Sequence, residues 1–394
     1  MSHDQPASAR QQSESLDEIR RSMDVIDQEM IRLFCDRLNL SLKIATLKKN
    51  EGLAVYVPDR EQEKIKYALK QVPASLKRKA ESFLRTLMRL SRSIQYESQC
   101  NEDVDFEAGR LLTETEPAFP NVRRIVTQGA AGSWSEKAGR VLFPDADAQQ
   151  TATFSQACDL VRDGSVDVAV LPLENSTAGT VDDVYTLLLK NQLYIWRSLS
   201  LPIRHHLLVR PGTSIDQIRT VVSHPQALAQ CSDFIKKMGW SVREAQNTAF
   251  AAKEVAETGD AGLSAIGSPE AAEAYHLFVL SDEINNTKGN RTRFIAVGRQ
   301  FLVTPDAERI SLILKLPHTV GSLSSALSVF SDSGFNLSKI QSKPDLENPW
   351  TYLFYIDLEC TREDLSRALA VLCQLSYELP YLRLLGWYGE IDLC

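Results

Sequence analysis

The sequence predicts a protein in three parts: an all-helical segment, a two-lobed α/β segment, and a small βαββαβ segment of ferredoxin-like topology. Three observations predict it. Apolar residues repeat with helical spacing over 15–100, strand and helix patterns alternate over 121–300, and a strand-helix-strand-strand-helix-strand pattern fills 308–390. With 394 residues the chain is also too long for one ordinary domain.

The helical segment begins with a long amphipathic pattern. Its apolar positions follow one another at steps of four and three, which is heptad spacing. These positions are Ile19, Met23, Ile26, Met30, Leu33, Leu40, Ile44 and Leu47. Ser15 with Glu18 predicts a capping box, and Gly52 predicts a C-terminal cap. A helix over 16–49 would be about 50 Å long and could not bury this seam alone, so the pattern predicts an interlocked dimer.

Proline residues and composition predict the other boundaries of this segment. Pro58 opens a second helix that reaches about residue 71, and Pro73 opens a third that reaches about residue 99. We expect a disordered tail over 1–14 and a linker over 101–120, where the apolar periodicity is lost.

The α/β segment carries five strand patterns separated by helical patterns. The strands are expected at 122–127, 167–173, 220–223, 263–266 and 293–297, with helices such as 227–237 and 250–257 between them. Such alternation is typical of largely parallel sheets, and about 180 residues fit two small lobes with a cleft between them. In the third segment, strands are expected at 309–316, 335–343, 351–359 and 381–388, and helices at 320–332 and 362–375.

Composition excludes several classes of function. The net charge is −7, with +4 in the first 100 residues and −11 in the rest, which does not favour nucleic acid as a partner. There is no run of 18 apolar residues, so no membrane span is predicted. Seven cysteines form no C-x-x-C pair and no metal-ligand spacing. We therefore expect reduced thiols, a cytoplasmic location, and neither metal nor cofactor.

Charged residues interrupt the helical pattern at a buried position. Arg37 occupies the heptad slot between Leu33 and Leu40, where an unpaired charge would cost several kcal/mol. Lys48 lies on the same face of this helix, while Ser91 and Gln95 project together from the third helix. Inward cations beside uncharged hydrogen-bonding groups indicate a pocket for a small dicarboxylate. The same pattern also fits a coiled coil with one buried ion pair and ordinary surface charges.

Most of residues 16–99 resembles the all-helical chorismate mutase family. The positions that match this family's motif are Arg20, Arg37, Lys48, Arg60, Glu61, Ser91 and Gln95. The resemblance implies that chorismate rearranges to prephenate in a dimer whose long helix lends Arg20 to the partner's site. Arg20 and Arg37 would then clamp the two carboxylates, while Lys48 and Gln95 donate to the ether oxygen. Glu61 and Ser91 would hold the hydroxyl side of the ring, and Val57 stands where some members have Asp.

Four short motifs follow strands of the α/β segment. They are the glycine-serine turn at 129–136, the Pro-Leu-Glu-Asn-Ser stretch within 171–179, the Ser-His-Pro-Gln stretch at 223–226, and the Asn-Arg-Thr-Arg-Phe stretch at 290–294. Free backbone N–H groups in the first motif suit an anion, and ligands bind at strand ends in α/β proteins. Each motif alone also fits a tight turn, a helix cap or a structural histidine.

Together these motifs resemble the prephenate dehydratase family over 122–300. The resemblance implies two periplasmic-binding-protein-like lobes with the active site between them, where prephenate loses carbon dioxide and its ring hydroxyl. The matching positions are Glu174, Asn175, Ser176, Ser223, Gln226, Gln230, Thr248, Thr292, Arg293 and Phe294. Thr292 would donate a proton to the leaving hydroxide, Arg293 would orient the carboxylates, and Phe294 would pack on the ring. Glu174, Asn175 and Gln230 would surround them, and Ala130 replaces a usual Pro.

The third segment resembles the ACT domain that follows such dehydratases. The resemblance implies that phenylalanine binds between two such domains at Gly321, Leu323, Gln341 and Ser342. Three positions depart from the family pattern: Ser322 stands for Ala, Gln341 for Glu and Lys343 for Arg. A dimerisation domain without a ligand is the alternative.

The leading hypothesis is a bifunctional enzyme of phenylalanine biosynthesis that is inhibited by phenylalanine and works as a homo-oligomer, at least a dimer. Its substrates would be chorismate and prephenate, and it would need no cofactor. Three alternatives stay open: an amino-acid sensor that has lost catalysis, a mutase with a decayed dehydratase, and arogenate as the second substrate. The sequence does not discriminate prephenate from arogenate.

Overall fold

The computed structural model describes residues 15–100, 105–345 and 348–393. The tail predicted at 1–14 and the first four residues of the predicted linker therefore lie outside the described residues. The chain divides into two compact units. The helical unit contains the described residues up to 100 together with 369–378, and the second unit contains the described residues of 105–368 together with 379–393.

The helical unit contains three helices close to their predicted positions. They are α1 (Leu16–Glu51), α2 (Pro58–Ala68) and α3 (Lys77–Cys100), with single 3₁₀ turns at Leu69–Gln71 and Ala74–Leu76. Ser15 and Glu18 form the predicted capping box, and Gly52 ends α1 in the left-handed conformation with φ of 64°. Both predicted ends of the long helix are thus confirmed, because side-chain and glycine caps satisfy backbone groups that the helix leaves free.

The heptad seam of α1 is largely uncovered in the single chain. Buried residues of this 36-residue helix are Ser41 and Ala45. The large apolar residues of the seam are all exposed, namely Ile19, Met23, Ile26, Met30, Leu33, Leu40, Ile44 and Leu47. The monomer therefore leaves a continuous apolar stripe on α1 that α2 and α3 do not cover.

The expectation that all cysteines are reduced is wrong for two of them. Cys100, at the end of α3, forms a disulfide with Cys373, and their Cα atoms are 6.8 Å apart. The sequence pattern missed this pair because 273 residues separate the two cysteines and spacing carries no signal over that length. Cys35, Cys158, Cys231 and Cys360 are free thiols.

The second unit contains ten helices and sixteen strands within its described residues, counting α13, whose last ten residues belong to the helical unit. The helices are α4 (Glu107–Glu114), α5 (Trp134–Leu142), α6 (Phe154–Arg162), α7 (Asp182–Lys190), α8 (Pro225–Gln230), α9 (Ser232–Met238), α10 (Thr248–Thr258), α11 (Pro269–Ala274), α12 (Ser322–Asp332) and α13 (Leu365–Glu378). The strands are β1 (Arg124–Gln128), β2 (Asp147–Thr151), β3 (Val168–Asn175), β4 (Gly179–Thr180), β5 (Tyr194–Pro202), β6 (His206–Val209), β7 (Thr220–Ser223), β8 (Ser241–Glu244), β9 (Leu263–Gly267), β10 (Phe278–Ser281), β11 (Arg291–Gly298), β12 (Arg309–Lys315), β13 (Leu337–Pro344), β14 (Tyr352–Glu359), β15 (Tyr381–Tyr388) and β16 (Glu390–Asp392).

Two mixed sheets form the two predicted lobes. The first has the order β16-β5-β11-β3-β1-β2, with β4 paired to β3, and the second has the order β10-β6-β9-β7-β8. The prediction of largely parallel sheets holds for β1 with β2 and β3, and for β7 with β8 and β9. It is wrong for β11, which runs antiparallel to both β3 and β5. This strand brings the chain back from the second lobe and enters the first sheet in the opposite direction.

Two further local differences have plain physical reasons. Residues 107–114 form α4 inside the predicted linker, because Ala108 and Leu112 supply a buried apolar face. The helix expected over 227–237 is interrupted at Cys231, where α8 ends and α9 begins. His224 is the N-cap of α8, and Pro225 occupies the first helical position, where proline is common.

A third sheet, of order β13-β14-β12-β15, completes the second unit. Its strands are all antiparallel and are joined by α12 and α13, so the predicted ferredoxin-like βαββαβ topology is confirmed. Ile313, Tyr355 and Leu385 of this sheet share one hydrophobic core with Tyr185 and Leu188 of α7. The ferredoxin-like domain is therefore fused to the first lobe by a common core.

Gly132 allows the two lobes to approach each other closely. Its φ is +77°, and a Cβ atom added there would lie 2.3 Å from the Cα of Ala271 in α11. Ser268 Oγ donates a hydrogen bond of 2.6 Å to the Gly132 carbonyl across the same contact. Only glycine fits, because both the backbone conformation and the space exclude a side chain.

We expect Gly132→Ala to lower the free energy of unfolding by about 2–4 kcal/mol, from left-handed strain plus a backbone clash. Gly212→Ala is the matched control, because Gly212 has φ of +85° but nothing within 4 Å of an added Cβ. It should cost about 1 kcal/mol. Urea unfolding of the full chain measures both values, and equal losses would contradict the assigned lobe contact.

Candidate active sites

In the helical unit, the structure brings Arg37, Ser91 and Gln95 together. Arg37 Nη1 donates to the carbonyl of Leu87 at 2.8 Å and also to Ser91 Oγ. Ser91 and Gln95 are buried one turn apart on α3. Burial lowers the pKa of the partly buried Arg37 guanidinium from its ordinary value. The heptad slot thus points this cation at the polar face of α3, as its spacing predicts.

Lys48, Arg60 and Glu61 form the second part of this cluster. Lys48 Nζ donates to the Val55 carbonyl at 2.7 Å. Burial and the neighbouring Arg60 charge lower the pKa of Lys48, while Glu61 opposes them. The start of α2 therefore lies close to the end of α1, and the cluster is rich in positive charge.

Gln95 carries an unsatisfied acceptor in this cluster. Its Nε2 donates to the Ser91 carbonyl at 2.7 Å, whereas its buried Oε1 finds no hydrogen-bond partner within the described parts of the chain. A buried polar atom without a partner costs about 1–3 kcal/mol and indicates a place where a ligand or water binds.

Arg20 is remote from the other predicted residues of its own chain. It lies 17 residues before Arg37 on one continuous helix, which is roughly 25 Å along the axis. Its side chain is 66% exposed and lies 3.5 Å from Asp17. The single chain therefore assembles six of the seven predicted mutase residues and leaves Arg20 outside the cluster.

Arg92 is a site residue that the sequence analysis missed. Its buried guanidinium donates to both carboxylate oxygens of Glu61 at 2.7 Å and to Glu378 Oε1 at 2.6 Å, and it lies 4.6 Å from the Tyr56 ring. Glu61 is thus held by a cation that the sequence reasoning did not consider. Its position next to Ser91 on the inward face of α3 was the available signal.

In the second unit, a cavity of about 280 Å³ lies between the two lobes. Its walls are Gln128, Ser133, Trp134, Ser135, Phe154, Pro172, Asn175, Val181, Ile203, His205, His224, Gln226, Ala227, Gln230, Asn247, Thr248, Thr292 and Phe294. Among these described residues there is no lysine, arginine, aspartate or glutamate. The cavity is therefore apolar with neutral hydrogen-bonding groups, and the cleft predicted from the α/β pattern is present.

Asn175 fixes the Thr292 hydroxyl at the wall of this cavity. Asn175 Oδ1 accepts from the backbone N–H of Ala178 at 3.0 Å and from Thr177 Oγ1 at 2.7 Å, which fixes the orientation of its amide. Its Nδ2 consequently donates to Thr292 Oγ1 at 2.9 Å and to Asn290 Oδ1 at 2.8 Å. Because the Thr292 oxygen is used as an acceptor, its own proton stays available for donation.

Gln230 and His205 continue this network along the cavity. Gln230 Nε2 donates to Thr177 Oγ1 at 2.7 Å, so its Oε1 is the acceptor for Asn290 at 3.1 Å and for His205 at 2.9 Å. His205 therefore carries its proton on Nε2. Its buried Nδ1 has no partner among the residues that the structure describes. Burial lowers the pKa of His205 to about 4, with the Gln230 hydrogen bond opposing this shift, so the ring is neutral.

The structure divides the predicted dehydratase residues into two groups. Those that line the cavity are Asn175, Gln226, Gln230, Thr248, Thr292 and Phe294. Those that do not line it are Glu174, Ser176, Ser223 and Arg293. Ser176 Oγ accepts from the Arg291 N–H at 2.9 Å, and Ser223 Oγ donates to the Ile266 carbonyl at 2.7 Å, so both hydroxyls bind backbone instead.

Glu174 and Arg293 lie on the face of the first sheet opposite the cavity. Arg293 Nε is 2.8 Å from Glu174 Oε1, and its Nη2 donates to Asp357 Oδ2 at 2.5 Å. Lys339 forms an ion pair with the same Glu174. The expected roles of Arg293 on the substrate carboxylates and of Glu174 beside the substrate do not fit this placement. The reason is that side chains alternate along a strand, so neighbours of Asn175 and Thr292 must point away from them.

In the glycine-serine turn, one of the backbone N–H groups predicted to bind an anion is already used by the turn itself. The Gly132 N–H donates to the turn's own Glu136 Oε2 at 2.7 Å, and Ser133 caps α5 by accepting from the Glu136 N–H. The turn still lines the cavity through Ser133, Trp134 and Ser135. The sequence analysis named this turn and the Ser-His-Pro-Gln stretch but missed Trp134, His205, His224 and Asn247 as cavity residues.

The four predicted phenylalanine-binding residues are not all together in the single chain. A second cavity, of about 390 Å³, lies at the start of α12 and is lined by residues 316–320, Ser322 and Leu323, and by three residues before and within β14. Gln341 instead accepts from Thr180 Oγ1 at 3.3 Å. Ser342 is exposed and, by strand alternation, points to the other side of β13.

The described residues contain no group of three or more His, Cys, Asp or Glu that could hold a metal ion. In the same described ranges, no helix is long and apolar enough to cross a membrane.

Comparison with known proteins assigns both parts of the chain. A family model of type II chorismate mutase matches residues 19–96, and one of prephenate dehydratase matches residues 125–301. A bifunctional chorismate mutase/prephenate dehydratase from Enterobacter agglomerans is 30% identical, covering 94% of this chain and 95% of the relative. An arogenate dehydratase/prephenate dehydratase from Arabidopsis thaliana is 36% identical, over 67% of this chain and 71% of its own length.

A solved structure gives the same result for the second unit. The prephenate dehydratase of Arthrobacter aurescens, in complex with L-phenylalanine, is 29% identical and superposes with a TM-score of 0.63. It covers 68% of this chain and 90% of its own length. The fold and the two sites thus define an enzyme that joins a helical mutase to a two-lobed dehydratase. This chain belongs to the family of bifunctional chorismate mutase/prephenate dehydratases, and both resemblances found in the sequence are confirmed.

His205 generates a prediction about stability and pH. The unfolded chain takes up a proton on this histidine below pH 6.5, whereas the folded chain does so only near pH 4. The free energy of unfolding should therefore fall as pH decreases from 6.5 to 4, by about 3 kcal/mol from this group. His205→Gln should remove this component, and His276→Asn, at an exposed histidine, should keep it. Urea unfolding at several pH values measures it, and identical slopes for wild type and His205→Gln would contradict it.

Proposed function

We propose that this enzyme converts chorismate to prephenate in the helical unit and prephenate to phenylpyruvate in the cavity of the second unit, with phenylalanine as inhibitor. The observation that carries the second step is the hydrogen bond from Asn175 to Thr292, which leaves the hydroxyl proton free to move. No step requires a metal, cofactor or covalent intermediate. The cytoplasmic location expected from the sequence stays a prediction.

The mutase step is electrostatic and positional. Arg37 and Lys48 supply positive charge for a carboxylate and for the ether oxygen, where negative charge develops as the C–O bond breaks. Gln95 would also donate to the ether oxygen, which requires its amide to turn away from the Ser91 carbonyl. Glu61, fixed by Arg92, would accept from the substrate hydroxyl. Holding chorismate in its compact conformer supplies the entropic share of the acceleration.

The mutase site is completed by a second copy of the chain. Two observations support this: the seam of α1 is an exposed apolar stripe, and Arg20 lies about 25 Å from Arg37 on the same helix. If α1 packs along its counterpart in an antiparallel dimer, the first half of one helix lies beside the second half of the other. Each site would then take Arg20 from the partner.

The dehydratase step needs anion binding and one proton. The described lining of the cavity contains no lysine or arginine side chain. Two helices begin at the cavity wall, however: α5 at Trp134 and α10 at Thr248. The first N–H groups of a helix have no partner within the helix and carry partial positive charge, so they suit the substrate carboxylates. Thr292 donates its proton to the leaving hydroxide, which departs as water while carbon dioxide is lost, and a proton from solvent then restores the Thr292 hydroxyl. Phe294 packs against the ring that becomes aromatic.

The cavity favours prephenate over arogenate. Arogenate carries an ammonium group where prephenate has a keto group. No carboxylate is found among the described residues of the cavity wall, so an ammonium would lose its water without gaining an ionic partner. Arogenate remains the second candidate because the Arabidopsis relative is named for both activities.

Regulation by phenylalanine is proposed at the ferredoxin-like domain. The related Arthrobacter structure is a complex with L-phenylalanine. In this chain Gly321, with φ of +86°, begins α12 beside a cavity whose wall includes Leu323. Ser342, which is exposed, would join this site from the partner's domain, whereas Gln341 faces the first lobe of its own chain and is not part of the proposed site.

The function is tested by supplying chorismate and following prephenate and phenylpyruvate together, with and without phenylalanine. We expect both products to form in sequence, and phenylalanine to suppress phenylpyruvate. A parallel assay starts from arogenate. Prephenate that accumulates without conversion, or faster turnover of arogenate than of prephenate, would contradict the proposed second step.

Thr292→Val should lower the turnover number for prephenate by about 100-fold or more and leave the mutase rate unchanged. The change keeps the side-chain shape but removes the proton donor, and general acid catalysis is worth about 10²–10⁴ in rate. Thr292→Ser, which keeps the hydroxyl, is the matched control and should retain most activity. Equal loss in Val and Ser variants would show that the hydroxyl is not the proton donor.

Shared mutase sites predict complementation between inactive variants. Arg20→Ala and Arg37→Ala should each be nearly inactive alone, because each removes a cation from every site. In a mixed dimer one site has both arginines and the other has neither, so refolding the two together should restore about a quarter of wild-type activity. Mutase assays after co-refolding measure this, and no recovery would contradict the partner role of Arg20.

A further inference from the structure

Two neighbouring residue pairs on β3 and β11 face opposite sides of the first sheet. In the register of these strands, Asn175 lies opposite Thr292 and Glu174 lies opposite Arg293. The first pair forms the hydrogen bond at the cavity wall, and the second forms an ion pair behind it. Since each catalytic residue is one peptide bond from a member of the ion pair, a shift of the ion pair moves the catalytic pair.

The ferredoxin-like sheet holds this ion pair from behind. Lys339 on β13 binds Glu174, and Asp357 on β14 accepts from Arg293. Asp357 is itself fixed, because its Oδ1 accepts from Ser311 Oγ at 2.6 Å. Arg293 is 7% exposed and Asp357 is 3% exposed, so water replaces neither partner.

The four side chains form a closed and nearly neutral cluster of two cations and two carboxylates. Glu390 lies 3.9 Å from Arg293 and pairs with Arg309 at 2.6 Å, so charges also balance around the cluster. Removal of one partner from a buried ion pair leaves an uncompensated charge, which the surrounding structure must move to accommodate. The cluster therefore favours one geometry of β3 and β11.

A second set of contacts links β13 to β4 and α7 of the first lobe. Lys339, Gln341 and Lys343 alternate along β13 and face the first lobe, where Gln341 meets Thr180 and Lys343 lies 5.8 Å from the Tyr185 ring. Thr180 pairs with Glu174 in the short β4–β3 ladder. β13 thus touches Glu174 both directly and through its strand partner.

We propose that Lys339 and Asp357 of the ferredoxin-like domain are positioning residues for the dehydratase reaction. They hold Glu174 and Arg293 so that Asn175 and Thr292 keep the geometry needed for proton donation. The proposed chemistry of the cavity thus depends on a domain that contributes no residue to the cavity wall within the described parts of the chain. This inference rests on the proposed dehydratase step, and it assigns Arg293 a role through Thr292 and not on substrate carboxylates.

The test is the effect of Lys339→Met on kcat and KM for prephenate, measured without phenylalanine. We expect kcat to fall by about tenfold or more, because small displacements of catalytic groups are costly, while KM changes by less than about threefold. Lys315→Met is the matched control. Lys315 belongs to the same sheet and pairs with Asp345 at 2.5 Å, and among the described residues it forms no ion pair with β3 or β11, so kcat should stay within about twofold of wild type.

Rescue separates positioning from general damage. Lys339→Met combined with Glu174→Gln removes both charges of one pair, so it should recover part of the lost kcat. Asp357→Asn keeps the shape of the side chain and should also lower kcat. If Lys339→Met does not unfold cooperatively, Asp357→Asn replaces it as the test variant. Thermal unfolding and the mutase rate of each variant report on folding.

Three results would overturn the inference: unchanged kcat in both Lys339→Met and Asp357→Asn, a loss confined to KM, or an equal loss in Lys315→Met. Failure of the proposed function looks different, since the wild-type chain would then not convert prephenate at all.

Discussion

The antiparallel pairing of β3 with β11 is the interaction on which the second unit depends. This pairing joins two segments more than one hundred residues apart, because β11 is the strand that returns from the second lobe. It sets Asn175 against Thr292 on the cavity face and Glu174 against Arg293 on the opposite face. The period of two in a strand places adjacent motif residues on opposite faces of the sheet, so one motif supplies both a cavity residue and a residue that binds the ferredoxin-like domain. The cavity, the ion cluster and the shared core with the ferredoxin-like sheet all follow from this single register.

Three buried or partly buried arginines show how the chain accommodates charge in its interior. Arg37 donates to the neutral Leu87 carbonyl and Ser91 hydroxyl, whereas Arg92 and Arg293 are each paired with two carboxylates. Although burial alone would lower it, the carboxylates raise the pKa of Arg293, so this cation stays charged. A buried arginine that already holds two carboxylates has little capacity left for a substrate anion. The proposed dehydratase reaction would therefore rely on neutral donors and helix ends, whereas Arg37 and Lys48 of the proposed mutase cluster donate to neutral backbone carbonyls.

The helical unit has a different dependence, because one chain leaves the apolar seam of α1 uncovered. The capped ends of α1 fix its length, and that length separates Arg20 from Arg37 while leaving the apolar seam exposed. The last ten residues of α13 are part of the same unit, through the Cys100–Cys373 disulfide and the Arg92–Glu378 ion pair. Glu61, at the mutase cluster, is therefore supported by a residue that follows it by more than three hundred positions.

The sequence by itself determined the three architectures, the caps of α1, the ferredoxin-like order of strands, and the residue types of both sites, because these depend on local periodicity and short motifs. Tertiary structure alone decided which motif residues reach a site. The sequence motifs predict Glu174 and Arg293 as substrate ligands. The direction in which their side chains point, however, depends on the sheet register and on Asp357 and Lys339 of a later domain. His205 and Arg92 carried no motif, and their roles arise from burial and from partners far away in the chain. The Cys100–Cys373 pair and the antiparallel entry of β11 are likewise long-range events, which spacing along the chain does not encode.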